Sequence, residues 1–180
     1  MCKYVIVGKA ASGKDWCQRL FIEQGYKPLR QYTTRPKRPN ETGGEYHFVD
    51  EKKINRMKRN MKFASLKNFK GWYYGFTLEE FEKCDVAILS PGNISDLNTW
   101  FPNSLKFVTI IYLDIPMDIR KQRLSTRYEG GNEDDSVMRR INADEKDFAN
   151  DIGGYGFGEL LQVSQRRRRR GDGHPWPCGR

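Results

Sequence analysis

The chain has 180 residues, the size of one domain with a small insert, and carries a formal net charge of +9. Its 37% apolar content includes many of the 13% aromatics, which suffices for a packed core, and no apolar run approaches the ~20 residues of a membrane span. Two histidines and four scattered cysteines make no zinc pattern, while the basic balance suits a polyanionic ligand, nucleotide or nucleic acid alike.

Residues 3–7, Lys3-Tyr4-Val5-Ile6-Val7, read as a strand. No signal-peptide pattern precedes them, and the lone cysteines read as buried thiols of a reducing compartment, so a cytoplasmic location is expected. The strand runs into Gly8-Lys9-Ala10-Ala11-Ser12-Gly13-Lys14-Asp15, which has the G-x-x-x-x-G-K spacing of a phosphate-binding loop. Its glycines let successive N–H groups turn inward at phosphate oxygens, and Lys14 is expected to reach the outer phosphates. An ordinary strand-to-helix turn needs neither the second glycine nor the lysine. The last position is normally Ser or Thr, a Mg²⁺ ligand. Asp15 stands there instead, as a candidate Mg²⁺ ligand, direct or through water, or as a cap on the helix dipole.

A helix is predicted over 13–24, with Trp16, Leu20 and Phe21 at helical spacing and Gly25 as its stop. A short strand is predicted near 28–32. The stretch that follows is polar and broken by prolines. It leads through a glycine turn to a strand ending near Val49, then to a helix over 51–60 capped by Asp50. Strands over 63–69 and 72–76 are predicted to enclose a turn at Lys70-Gly71. Residues of about 33–80 thus read as a small substrate-holding insert.

Continuous apolar runs at 85–89 and 107–113 then look like buried parallel strands, separated by helices over 93–100 and 118–127. A glycine-rich acidic loop at 129–135 precedes a helix over 136–150. Strands alternating with helices behind a phosphate-binding loop predict a three-layer α/β fold with a parallel sheet. Beyond residue 150 the periodicity stops. Glycines, five arginines at 166–170 and a Pro-Trp-Pro segment predict a disordered basic tail rather than a nucleic-acid-binding arm.

Two further clusters carry chemistry. Thr33-Thr34-Arg35-Pro36-Lys37-Arg38, with Tyr46 and Tyr74 downstream, offers two guanidinium forks and two phenols to one phosphate. Arg120, Arg123, Arg127, Arg139 and Arg140 flank the glycine-rich loop. They suit either charge neutralisation over a transferring phosphoryl group or a solvated basic face paired with Glu129 and Glu133.

In order and spacing, the phosphate-binding loop, residues 32–41, Tyr46-x-Phe48 and Trp72-Tyr73-Tyr74-Gly75 resemble the guanylate kinases, P-loop nucleoside monophosphate kinases, and above all their compact phage-encoded members. The resemblance spans residues 3–150. It implies transfer of the γ-phosphoryl group of ATP, with Mg²⁺, to a nucleoside monophosphate. It assigns Gly8 to Asp15 to ATP, and Arg35, Arg38, Tyr46 and Tyr74 to the acceptor phosphate. Lys14, Arg123, Arg127 and Arg140 fall to the transferring group, and residues of about 125–137 to a short lid. At the base end the chain departs from the family. Ser65 stands where a guanine-reading glutamate is usual, Gln31 and Phe76 occupy neighbouring reading positions, and Ser90-Pro91-Gly92-Asn93 replaces acidic residues. GMP or dGMP remains the expected acceptor. A further departure is the C-terminus, where residues 151–180 offer no evident last core strand. The rival reading is a catalytically silent phosphoprotein-binding module, and Lys14 argues against it because such a module has no use for a triphosphate cradle.

Overall fold

The structure, a computed structural model, describes residues 2–37, 41, 44, 46–69, 71–127, 133–148 and 159–164. Val5, Ile6 and Val7 of β1 (Tyr4–Gly8) are all fully buried, and they face two ways. Val5 and Val7 join Ala87, Leu89 and Ile110 in one core, and Ile6 joins Val86, Ile111 and Leu113 in another. A strand buried on both faces must be apolar throughout, which is why the run is continuous rather than alternating.

The first core is closed by α3 (Leu78–Lys83) through Phe81, by α4 (Pro91–Trp100) through Ile94 and Leu97, and by Leu105 of a 3-10 turn (Pro102–Leu105). The second is closed by α1 (Lys14–Glu23) through Cys17 and Phe21. Here the helical spacing misleads in part: Trp16 is 61% exposed and Leu20 also faces outward. Only Phe21 packs inward, its ring 5.0 Å from Tyr4 and 5.3 Å from Tyr26.

The main sheet is wholly parallel, in the order β6-β1-β7-β8. β6 is Val86–Ile88 and β7 is Thr109–Asp114. β7 starts two residues later than the sequence suggests, and Phe107 is 72% exposed in the turn before it. Residues 151–180 do contain a strand. Glu159–Ser164 form β8, in register with β7 from Thr109↔Glu159 to Asp114↔Ser164. Leu161 and Val163 of this edge strand are exposed, so its apolar signal is weak between glycine and arginine runs.

The second sheet has the order β3-β2-β5-β4. β2 (Gln31–Thr33) lies parallel to β3 (Tyr46–Phe48) and antiparallel to β5 (Trp72–Thr77), which pairs in turn with β4 (Phe63–Phe69). Gly71, at φ +82, makes the β4–β5 turn. Asp50 accepts from Lys53 N and starts α2 (Glu51–Arg59).

α4 begins at Pro91, earlier than predicted, because Ser90 and Asn93 form a capping box and proline suits the first helical position. α5 (Met117–Arg127) and α6 (Glu133–Asp147) pack together. α6 also starts early, at Glu133, so residues 133–135 of the predicted loop belong to this helix. Among the described residues, no helix is long and apolar enough to cross a membrane.

Candidate active site

The loop between β1 and α1 is built so that no larger residue fits at Gly8. A β-carbon there would lie 2.6 Å from Ser12 Oγ and 3.0 Å from the Leu113 carbonyl oxygen. Gly13 (φ +96) and Ala11 (φ 58) take left-handed backbone conformations, and Ser12 N donates to Lys9 O at 3.2 Å. Gly13 caps α1 with no side-chain acceptor, which leaves the first helical amides facing the loop. Ser12 Oγ is buried with no hydrogen-bond partner among the described residues. Lys14 Nζ donates to Gly8 O at 2.6 Å and to Lys9 O at 2.9 Å, along the concave side of the same loop.

What braces this loop comes from the far end of the sequence. Asp144 Oδ2 on α6 accepts from Ala10 N at 2.8 Å, and it is also 3.3 Å from Arg120 Nη1. Arg120 is 2% exposed and also donates to Ile115 O and to Glu145 Oε1. Glu145 pairs with Lys9 at 2.7 Å, and that hydrogen bond, before Arg120's charge, holds its carboxyl below the usual range. Ala10 and Ala11 pack on Leu124, Val137 and Ile141. Arg120 therefore belongs to the scaffold and is no mobile arginine, because its fork is spent inside the protein. Asp144→Ala removes one partner of a buried pair and one acceptor from the loop. It is expected to destabilise the fold by about 3 kcal/mol, measured by urea unfolding.

Arg123 behaves differently from Arg120. It reaches the loop from α5, its Nη1 donating to Ala11 O at 3.0 Å and lying 3.9 Å from the β-carbon position of Gly13. Arg139 is exposed on α6. Arg127 ends α5 and Arg140 lies in α6, with side chains outside the described part, as does all of Arg38.

The second sheet gathers the remaining candidates by register. Gln31 lies opposite Tyr46, Thr33 opposite Phe48 and Tyr74, and Lys67 opposite Tyr74. Opposed residues share a sheet face, and so do residues two apart, so Gln31, Tyr46, Ser65, Lys67 and Tyr74 line one face. The rings of Tyr46 and Tyr74 are 6.2 Å apart. The guanidinium of Arg35 sits 5.5 Å from the Tyr46 ring centroid and 5.6 Å from that of Phe48. Its fork is closed on Glu41, with Nη2 2.6 Å from Oε1 and Nη1 3.1 Å from Oε2, which raises its pKa further. Burial pushes the Tyr46 phenol up, and the neighbouring Tyr74 and the Asp15 carboxylate add to this.

Of the residues expected to read the base, Gln31 Nε2 reaches Ile88 O at 3.4 Å. Ser65 is 3% exposed and hydrogen-bonded to Asp96. Phe76 is not a reading residue. It is fully buried, its ring tilted against Phe81 at 6.0 Å in the core, and offers nothing to a ligand.

Residues 1–151 match the family model described as guanylate kinase. The chain belongs to the guanylate kinase family. It is 25% identical over 148 residues to a guanylate kinase of Nostoc sp., covering 76% of this chain and 71% of that one. To a guanylate kinase of Symbiobacterium thermophilum it is 28% identical over 145 residues, covering 76% and 67%. The fold is similar to the crystal structure of guanylate kinase from Anaplasma phagocytophilum, with a TM-score of 0.57 at 14% identity over 89% of this chain and 76% of that one. As a member of the guanylate kinase family, the chain is a nucleoside monophosphate kinase that uses ATP, and a silent binding module is not favoured.

Within this family frame, four contributors escape a reading of the sequence alone: Glu41, Asp96, Asp144 and Glu145. Glu41 carries a local signal, since it lies six residues after Arg35 in the same polar segment. The other three sit on helix faces with no pattern to distinguish them from solvated acids.

Proposed function

We propose that the chain transfers the γ-phosphoryl group of ATP to GMP or dGMP. The observation that carries this reading is the presence of two anion-holding elements, the Gly8–Asp15 loop with Lys14 bonded along it and the Arg35–Tyr46–Tyr74 cluster, in a chain that matches the guanylate kinase family over residues 1–151. In this reading the loop amides and Lys14 hold the ATP phosphates. Arg35, Arg38, Tyr46 and Tyr74 hold the acceptor phosphate, and Arg35 exchanges Glu41 for that phosphate, whose oxygens can pair two at a time with the same fork. An acceptor phosphate oxygen attacks the γ-phosphorus, the bond to the bridging β–γ oxygen breaks, and ADP leaves. Arg123, with Arg127 and Arg140, neutralises charge on the transferring group, as a lid of about residues 125–137 excludes water.

Among the described residues, no group of three or more His, Cys, Asp or Glu could hold a metal. Mg²⁺ needs no such cage, since one or two carboxylates plus phosphate oxygens and water satisfy it. Asp15, in the first turn of α1, fits that role. Bound there with ATP, Mg²⁺ would supply charge neutralisation on the phosphate oxygens. The buried free thiols of Cys2 and Cys84 suit a reducing cytoplasm.

The test is ADP release across GMP, dGMP, AMP, CMP and UMP with MgATP. The expected result is turnover with the guanine nucleotides at the lowest KM. Equal use of all acceptors would overturn the guanine assignment, and no release with any would overturn the reading itself.

A further inference from the structure

The base end holds a polar network whose hydrogen-bond directions are fixed by its own members. Ser90 N and Ser90 Oγ both lie on Asn93 Oδ1, at 3.0 and 2.8 Å, which makes that oxygen the acceptor and turns Asn93 Nδ2 toward Ser65. Asn93 Nδ2 donates to Ser65 Oγ at 2.8 Å, and Ser65 Oγ donates its proton to Asp96 Oδ2 at 2.6 Å. Lys67 Nζ closes the set, 2.9 Å from Asp96 Oδ1 and 2.7 Å from Oδ2. Ser65 has therefore spent its proton and is buried. Asp96 keeps lone pairs, Lys67 keeps protons, and both heads stay partly open, at 24% and 46% exposure.

Their position matters as much as their chemistry. Lys67 lies directly across from Tyr74, and Ser65 two residues further along the same face, ~7 Å at strand rise. A monophosphate gripped at Tyr46 and Tyr74 would find Lys67 on the same face, with Asp96 of α4 bonded to Ser65 and Lys67 beyond it. Resting on the phosphotransfer reading above, we infer that Asp96 and Lys67 select the base in place of the missing strand glutamate. Asp96 accepts from the ring N1–H and exocyclic N2–H of guanine, and Lys67 donates to O6. A 6-oxopurine with a 2-amino group fills every partner. Adenine turns an unprotonated ring nitrogen toward the carboxylate, and hypoxanthine lacks the second donor.

The experiment measures KM and kcat for GMP, IMP and AMP in wild type, Asp96→Asn and Lys67→Met, with ATP KM and thermal melting as controls. Asn keeps an oxygen for Ser65, and Lys67 is half-exposed, so both variants are expected to fold. Asp96→Asn should raise GMP KM about 10- to 100-fold and bring the GMP/IMP preference close to one. Lys67→Met should raise the KM of GMP and IMP alike. ATP KM should stay at the wild-type value in both. Unchanged GMP KM and GMP/IMP preference in a wild-type-like Asp96→Asn protein would overturn the assignment, as would a wild type that prefers AMP. If Asp96→Asn unfolds, an unchanged GMP KM in Lys67→Met overturns it instead. A wild type that phosphorylates no monophosphate would defeat the underlying phosphotransfer reading, a result distinct from these.

Discussion

Lys14→Ala should lower kcat/KM about 10³-fold in a coupled ADP-release assay, mostly through kcat. The ammonium is a fixed positive charge on the loop, and charge moves toward the β–γ bridge as the phosphoryl group leaves. In the structure this charge rests on the carbonyl oxygens of Gly8 and Lys9, so it is already positioned within the curl. Losing those two hydrogen bonds costs stability only modestly, about 1–3 kcal/mol, and circular dichroism should report an intact fold. Lys14→Arg should not rescue, because a longer planar fork cannot sit on the same two oxygens.

Arg35→Ala should raise the acceptor KM about 100-fold with a smaller change in ATP KM. That factor corresponds to ~3 kcal/mol, the scale of a bidentate charge-assisted contact. Arg35→Lys should restore only part of it, since an ammonium lacks the planar fork of two parallel N–H groups. Glu41→Gln separates grip from release. With that carboxylate gone, less negative charge competes for the fork, and the acceptor should bind more tightly, not less. The Tyr46 phenol adds a neutral donor. Because burial raises its pKa, it stays protonated throughout the working range, and acceptor KM should be flat from pH 7 to 9 if the grip depends on these groups and on the acceptor phosphate dianion alone.

The parts legible in the sequence are those whose cause is local. A glycine at each end of a six-residue loop followed by lysine states its own backbone requirement, and Gly8 and Gly13 meet it in the fold. Asp50 and Gly71 likewise announce a helix start and a hairpin turn. The parts that stayed hidden depend on distant partners. Arg120 and Arg123 sit three residues apart on one helix and look alike as letters, yet one is sealed in an ion-pair network and the other reaches the loop. Asp144 braces Ala10 from 134 positions away, a pairing no local pattern encodes. Trp16 and Leu20 have the spacing of a buried face, but spacing cannot say whether anything covers it. The loss of a glutamate at Ser65 is visible in the sequence. Its answer, a carboxylate arriving from α4 at Asp96, is visible only once β4 and α4 are side by side.

The central proposal is that the donor loop and the acceptor grip hold ATP and the acceptor monophosphate at the same time, phosphate to phosphate. A bisubstrate analogue, adenosine joined to guanosine through five phosphates, tests it directly by calorimetry. The account predicts one-to-one binding at least 100-fold tighter than ATP or GMP alone, as linked ligands gain when both sites are spanned, and weakened by Lys14→Ala and by Arg35→Ala alike. An analogue that binds no more tightly than ATP and ignores Arg35→Ala would contradict it.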